Sequence, residues 1–183
     1  MFMHKKIAGT LIATALIAAC ASTPEGTIST PARGPNLGAT PSAAMLAAMD
    51  TSIPPSGAGL PAGSGTVAQG KAVFDAKCQT CHGPKGEGKP ADPLVGGIGS
   101  LASGKPMRTV GSYWPYATTL FDYTRRAMPS NAPQTLSNEE VYAVSAYVLF
   151  LNGIVPESAV MTAQTLPQVK MPNRDGFIDY SRK

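Results

Sequence analysis

Within this 183-residue sequence, the run Cys78-Gln79-Thr80-Cys81-His82 has the clearest capacity for chemistry. Two thiols separated by two residues and followed at once by an imidazole form the attachment signature for c-type haem. The sulfurs add to the two vinyl groups of the ring, and the imidazole binds the iron from the proximal side. Residues at i and i+3 share a face of a helical turn, so Cys78 and Cys81 reach one flat ring while His82 is carried toward the metal. Other readings of a Cys-x-x-Cys pair are weaker. With residues 1–19 set aside as a leader, His82 is the only histidine, so a four-ligand zinc site lacks donors. A thioredoxin-like pair belongs in a βαβ pattern, which the sequence does not show. The motif implies a single covalent haem c.

A lone imidazole excludes bis-histidine ligation within the chain. A methionine thioether is the next expectation for the sixth ligand, and a His/Met pair raises the reduction potential. The downstream candidates are Met107, Met128, Met161 and Met171. Met128 is favoured because it ends a helical pattern at Arg125-Arg126-Ala127-Met128-Pro129, where the proline breaks the helix and can turn the sulfur inward. The alternative is a packing methionine at 128 with Met107 or Met171 on iron. Arg125, Arg126, Tyr113, Trp114 and Tyr116 lie near Met128 in sequence. They read equally as propionate partners that close a haem pocket or as aromatic core and solvated arginines.

Helices must hold these groups. Val67 to Cys81 reads as an amphipathic helix, with Val67, Phe74 and Cys78 at helical intervals and Thr66 as N-cap. Residues 83–99, rich in Gly and Pro, read as a loop that wraps the haem edge. Tyr116 to Ala127 is a second helix, with Pro115 at its start and Leu120, Tyr123 and Ala127 on one face. The third begins at the capping box Ser137-Asn138-Glu139-Glu140. It runs through an apolar body, Val141 to Leu151, and stops at Gly153. Packing of this helix across the first gives an all-α domain over 66–155. A core of roughly 90 residues is small, and a covalent haem would supply much of its apolar interior. Residues 156–183 form an irregular C-terminal tail, too long and too apolar for a frayed end, suited to drape over the domain or meet a partner.

The N-terminal part is of another kind. His4, Lys5 and Lys6 precede a short apolar run ending in small residues, the pattern of a signal peptide. The run is shorter than the roughly 20 apolar residues that span a bilayer. Leu16-Ile17-Ala18-Ala19-Cys20 resembles a bacterial lipobox, with Cys20 as the lipidated first residue after residues 1–19 are removed. Acylation there would hold the chain on the inner or outer membrane, facing the periplasm. With Cys20 lipidated and Cys78 and Cys81 on haem, all three cysteines are assigned. Residues 20–65, rich in Pro, Gly, Ser, Thr and Ala, read as a disordered tether. As a coil it spans roughly 35–40 Å. Ser42 to Asp50 has the makings of a short helix, and Leu60 to Gly65 of a segment lying along the domain.

The formal charge is +4, of which Lys5 and Lys6 contribute two. The remainder is too weakly basic for a nucleic-acid binder. Residues 66–130 nonetheless carry eight Lys and Arg against four acids. That excess is either a solvated surface or a basic rim that steers an acidic redox partner.

Gly111-Ser112-Tyr113-Trp114-Pro115-Tyr116-Ala117-Thr118-Thr119-Leu120-Phe121-Asp122-Tyr123, the Arg-Arg-Ala-Met-Pro run after it and the tail Met171-Pro172-Asn173-Arg174-Asp175-Gly176-Phe177 carry a more specific signal. Over residues 60–177 the chain resembles the cytochrome subunits of bacterial sulfite dehydrogenases and the cytochrome half of the Sox sulfur dehydrogenase. The resemblance implies a small class I cytochrome c-like domain. It also implies a one-electron carrier that is not itself an enzyme. Such a carrier takes electrons from a molybdopterin sulfite-oxidase-like subunit and passes them to a downstream cytochrome or oxidase. By position, Cys78, Cys81 and His82 match the family's haem attachment, and Met128 its distal ligand. The Sox subunit is dihaem, whereas this chain has one signature. The alternatives are a membrane-tethered shuttle to a terminal oxidase without a sulfur link, and a haem enzyme such as a peroxidase.

Overall fold

The computed structural model describes residues 38–178 and 180. The leader and Cys20 lie outside the described residues. Everything below belongs to the unit Ala43–Lys183. In chain order its elements are α1 (Ala43–Met49), β1 (Ser64–Thr66), α2 (Val67–Lys77), α3 (Gln79–His82), α4 (Ala117–Ala127), α5 (Asn138–Leu151), β2 (Val160–Thr162) and a 3₁₀ turn at Leu166–Gln168.

Helix α5 is the centre of the fold. The Ser137 hydroxyl accepts from the Glu140 N–H at 3.2 Å, and the Glu140 carboxylate accepts from the Ser137 N–H at 3.0 Å. This reciprocal cap satisfies two donors that an α-helix leaves orphaned. Residues Val141 through Leu149 are all buried. A helix apolar on every side needs cover on every side. Helices α2 and α4 and both strands supply it. Phe74 of α2 meets Tyr147 edge-on, with ring centroids 5.3 Å apart. Phe121 of α4 packs on Tyr142 at 4.5 Å.

The crossing of α2 and α5 depends on a missing side chain. Gly70 faces Ala143 so closely that a Cβ there would fall inside the Ala143 carbonyl. Thr66 caps α2 as expected, accepting from the Gln69 N–H at 3.2 Å while the Gln69 side chain accepts from the Thr66 N–H at 2.9 Å.

Three expectations are corrected. The helix expected over Val67 to Cys81 is two helices: α2 ends at Lys77, Cys78 takes a non-helical backbone (φ −123°, ψ −41°), and α3 restarts at Gln79. In α4, Phe121 and Asp122 are buried while Tyr123 is 47% exposed. The face named from the sequence therefore packs on the core at Leu120 but opens outward at Tyr123.

The third concerns residues 51–59, assigned to the tether, which pack on the domain instead, while Leu60 to Gly65 lies along the domain as its alternative reading held. Ile53 is buried and its N–H donates to the Asp122 carboxylate at 3.1 Å. The Tyr142 hydroxyl donates to the Pro61 carbonyl at 2.8 Å. Strand β1 pairs antiparallel with β2 of the tail, Gly65 opposite Met161. The tail thus drapes over the domain, with Met161, Leu166 and Met171 buried in the core. Asn173 donates to the Tyr113 carbonyl at 2.7 Å, and the Arg174 guanidinium lies 4.4 Å from the centre of the Tyr116 ring. The short helix expected within Ser42 to Asp50 is present as α1, with Met45, Leu46 and Met49 exposed. No helix among the described residues is long and apolar enough to cross a membrane.

Candidate haem site

Between α2, α4 and α5 lies a cavity of about 930 Å³. The Cys-x-x-Cys-His run forms one side of it. Helix α3 and the Cys78 residue that precedes it present Cys78, Cys81 and His82 within little more than one turn. Gly83 ends it with φ +79°, a conformation only glycine adopts readily. The following loop folds back on the motif: Ala91 N–H donates to the Cys81 carbonyl at 2.9 Å and Gly88 N–H to the His82 carbonyl at 2.7 Å. The loop also fixes the histidine ring. His82 Nδ1 lies 3.1 Å from the Asp92 carbonyl. A ring nitrogen facing a carbonyl carries the proton, so Nε2 keeps its lone pair for a metal.

The motif's cavity is floored by Phe74, Leu94, Val110, Leu120, Val144 and Val148. Met128, the C-terminal cap of α4, also lines the cavity. Of the four downstream methionines, Met128 alone lines the cavity. Met161 and Met171 are buried in the core, and Met107 is 45% exposed on the loop before α4. Cys78, Cys81, His82 and Met128 are thus brought together on one apolar space. Two thiols, an imidazole with a free Nε2 and a thioether are the donor set of a c-type haem. A volume near the upper end of the roughly 300–1,000 Å³ range of cofactor pockets gives it room. Burial pushes the Cys78 thiol up to about 11.

A cytochrome c family model matches residues 67–152. A chain in the crystal structure of the sulfane dehydrogenase SoxCD from Paracoccus pantotrophus is 42% identical. It superposes with a TM-score of 0.74, and the match covers 81% of this chain and 74% of that one. The chain belongs to the cytochrome c family. None of the curated protein sequences is a significant match. Membership implies a covalently bound haem c and an electron-carrying role, and the donor set above suits both.

The cytochrome's remaining candidates separate. Of the five residues considered for propionates, Trp114 lines the cavity, while Tyr113, Tyr116, Arg125 and Arg126 do not. Trp114 stands edge-on to Tyr123 at 5.7 Å, and Tyr123 also lines the cavity. The face of α4 named from the sequence therefore fronts the cofactor space through Leu120 and Tyr123. Of the eight cations between residues 66 and 130, Lys77 alone lines the cavity, and it is ion-paired with Glu140. The lining is otherwise uncharged.

One positioning residue escaped the sequence reading. Asn152, at the C-terminal cap of α5, is buried. Its amide donates to the Val148 carbonyl at 2.9 Å and to the Leu94 carbonyl at 3.1 Å, and its oxygen accepts from Gly96 N–H at 3.3 Å. It ties the loop after the motif to α5. The signal was an asparagine in place of an apolar residue directly before the stop at Gly153.

Proposed function

We propose that this cytochrome is a periplasmic one-electron carrier. In this reading it accepts electrons from a molybdenum-containing sulfur-compound dehydrogenase and passes them to the respiratory chain. One haem c would be held through thioether bonds to Cys78 and Cys81, with His82 and Met128 offering nitrogen and sulfur to its iron. Cys20 anchors the chain to a membrane by lipid. The observation that carries the reading is the gathering of Cys78, Cys81, His82 and Met128 on one apolar cavity, in a chain 42% identical to part of a sulfane dehydrogenase.

Bound there, the haem supplies an iron that cycles between ferrous and ferric states. The residues do the rest. His82 is held in one tautomer by the Asp92 carbonyl. The apolar floor keeps water from the metal. The Met128 thioether would be offered to the iron as well, so the site would exchange electrons rather than bind substrate. Trp114 and Tyr123 close the edge beside α4.

The test is reduction of the haem-loaded protein by a purified molybdenum sulfur-compound dehydrogenase supplied with its substrate. Rapid reduction, dependent on both enzyme and substrate, is the expected result. Reduction no faster than that of an unrelated cytochrome would overturn the sulfur assignment. Carbon monoxide binding to the reduced native protein would overturn the closed axial site.

A further inference from the structure

A second concavity, of about 230 Å³, shares no lining residue with the first. Its walls are Thr51, Arg125, Arg126, Gln134, Leu136 and Asn138. Five of these six side chains carry hydrogen-bonding groups, and no carboxylate lines the space. Arg126 is already ion-paired, with Asp122, whose other oxygen takes the Ile53 N–H. Arg125 forms no ion pair among the described residues. Gln134 holds a left-handed backbone with φ +63°, a conformation that costs a non-glycine residue energy and gathers at ligand sites. Asn138 opens α5, whose N-terminal turn carries partial positive charge. Two acids share that turn, and Glu140 is committed to Lys77.

We infer that this pocket binds a small tetrahedral oxyanion of the sulfate or phosphate kind. Guanidinium groups offer paired, parallel donors to such an ion. The hydroxyl of Thr51 and the carboxamides of Gln134 and Asn138 supply donors around them. These donors come from three chain segments: the stretch before β1, the end of α4 and the loop entering α5. Donors drawn from separate segments onto a space of this size suit a small ion. The same residues flank the segment that bears Met128. Arg125 and Arg126 precede it and Gln134 and Asn138 follow it, so a bound ion would tie its two ends together.

The test is calorimetric titration of sodium sulfate into the full-length haem-loaded protein, at ionic strength held constant with chloride. One saturable site per chain is expected. Arg125→Gln should weaken it at least tenfold, whereas Lys105→Gln, in an exposed loop lining neither cavity, should leave it unchanged. Arg125 is half-exposed and unpaired, so its replacement keeps the fold, which the haem absorption spectrum checks. Absence of saturable binding, an affinity unchanged in Arg125→Gln, or equal weakening by Lys105→Gln would overturn the site. The electron-transfer reading is decided by reduction kinetics and stands or falls separately.

Discussion

Cys81 and His82 each lend a backbone carbonyl to the loop that follows them, whereas Met128 heads a segment whose bonds are short-range. On the histidine side, the loop is fastened to the motif at two carbonyls and to the His82 ring. Asn152 then ties it to the central helix. On the methionine side, Met128 N–H donates to the Thr124 carbonyl at 3.0 Å and Ala132 N–H to the Pro129 carbonyl at 2.9 Å. The Thr135 hydroxyl donates to the Ala132 carbonyl at 2.7 Å. None of these bonds reaches another element. The covalently attached side is thus built into the core, and the thioether side is laid against it. The two proposed ligands should divide accordingly, with the His82 imidazole fixed by the fold and the Met128 thioether the group that can be exchanged without unfolding.

The largest effect tests the anchored side. Gly70→Val would place a branched side chain in the Ala143 backbone, and overpacking costs typically about 1–3 kcal/mol or more. With main chain as the obstacle the upper end or beyond is expected. The variant should fail to accumulate as a folded haem protein, read by far-ultraviolet dichroism and covalent haem content. A stable variant with wild-type haem content would mean that the crossing is not what supports the motif.

Met128→His tests the other side. The fold should persist, because the segment after Met128 makes only local bonds. The potential should fall by roughly a few tenths of a volt, since axial ligands tune haem over about 0.8 V, and the weak far-red sulfur-to-iron band should vanish. Survival of that band would assign the iron to another methionine.

These two sites also differ in how far the sequence could be read. Cys78, Cys81 and His82 are contiguous, so spacing alone brings them together. Met128 was one of four methionines, and the choice rested on a helix end and a proline. Only the packing shows that Met161 and Met171 are consumed by the core. The caps at Thr66 and Ser137 were legible because a capping box is local. That the tail and Leu60 to Gly65 lie along the domain was readable from their length and apolar content, but the docking of residues 51–59 and the points of attachment were not, because they are made by single long-range contacts. The Tyr142 hydroxyl on Pro61, Ile53 on Asp122 and the three-residue pairing of β1 with β2 leave no periodic trace. The break at Cys78 was invisible for a related reason: helical spacing continues across it, and only the backbone turns.

Asn152→Ala sharpens the contrast at intermediate size. It removes partners from Gly96 N–H and the Leu94 carbonyl. Both groups are partly buried, and leaving such groups unpaired costs about 1–3 kcal/mol. A loss of about 2 kcal/mol in urea unfolding is expected, with the far-red band retained. A variant that lost the band while keeping its stability would show that Asn152 serves the thioether side instead.

The smallest effect comes from the pair that joins the motif's helix to the central one. Lys77 Nζ lies 2.6 Å from the Glu140 carboxylate. This contact, first, and the Ser137 N–H hold the Glu140 carboxyl below its ordinary range, against an opposing effect of burial. A carboxyl depressed by folding stabilises the native state above its unfolded value and loses that contribution as the pH falls through the folded one. Glu140→Gln keeps an acceptor for the cap and removes the charge. Both partners are partly exposed, so solvent screening limits the loss to about 0.5 kcal/mol near neutrality. The difference from wild type should shrink as the pH drops below the ordinary carboxylate range and be gone once Glu140 is protonated in both states. Urea midpoints at neutral and acid pH measure this. A gap that widened in acid would mean that the cap, and not the ion pair with Lys77, carries the interaction.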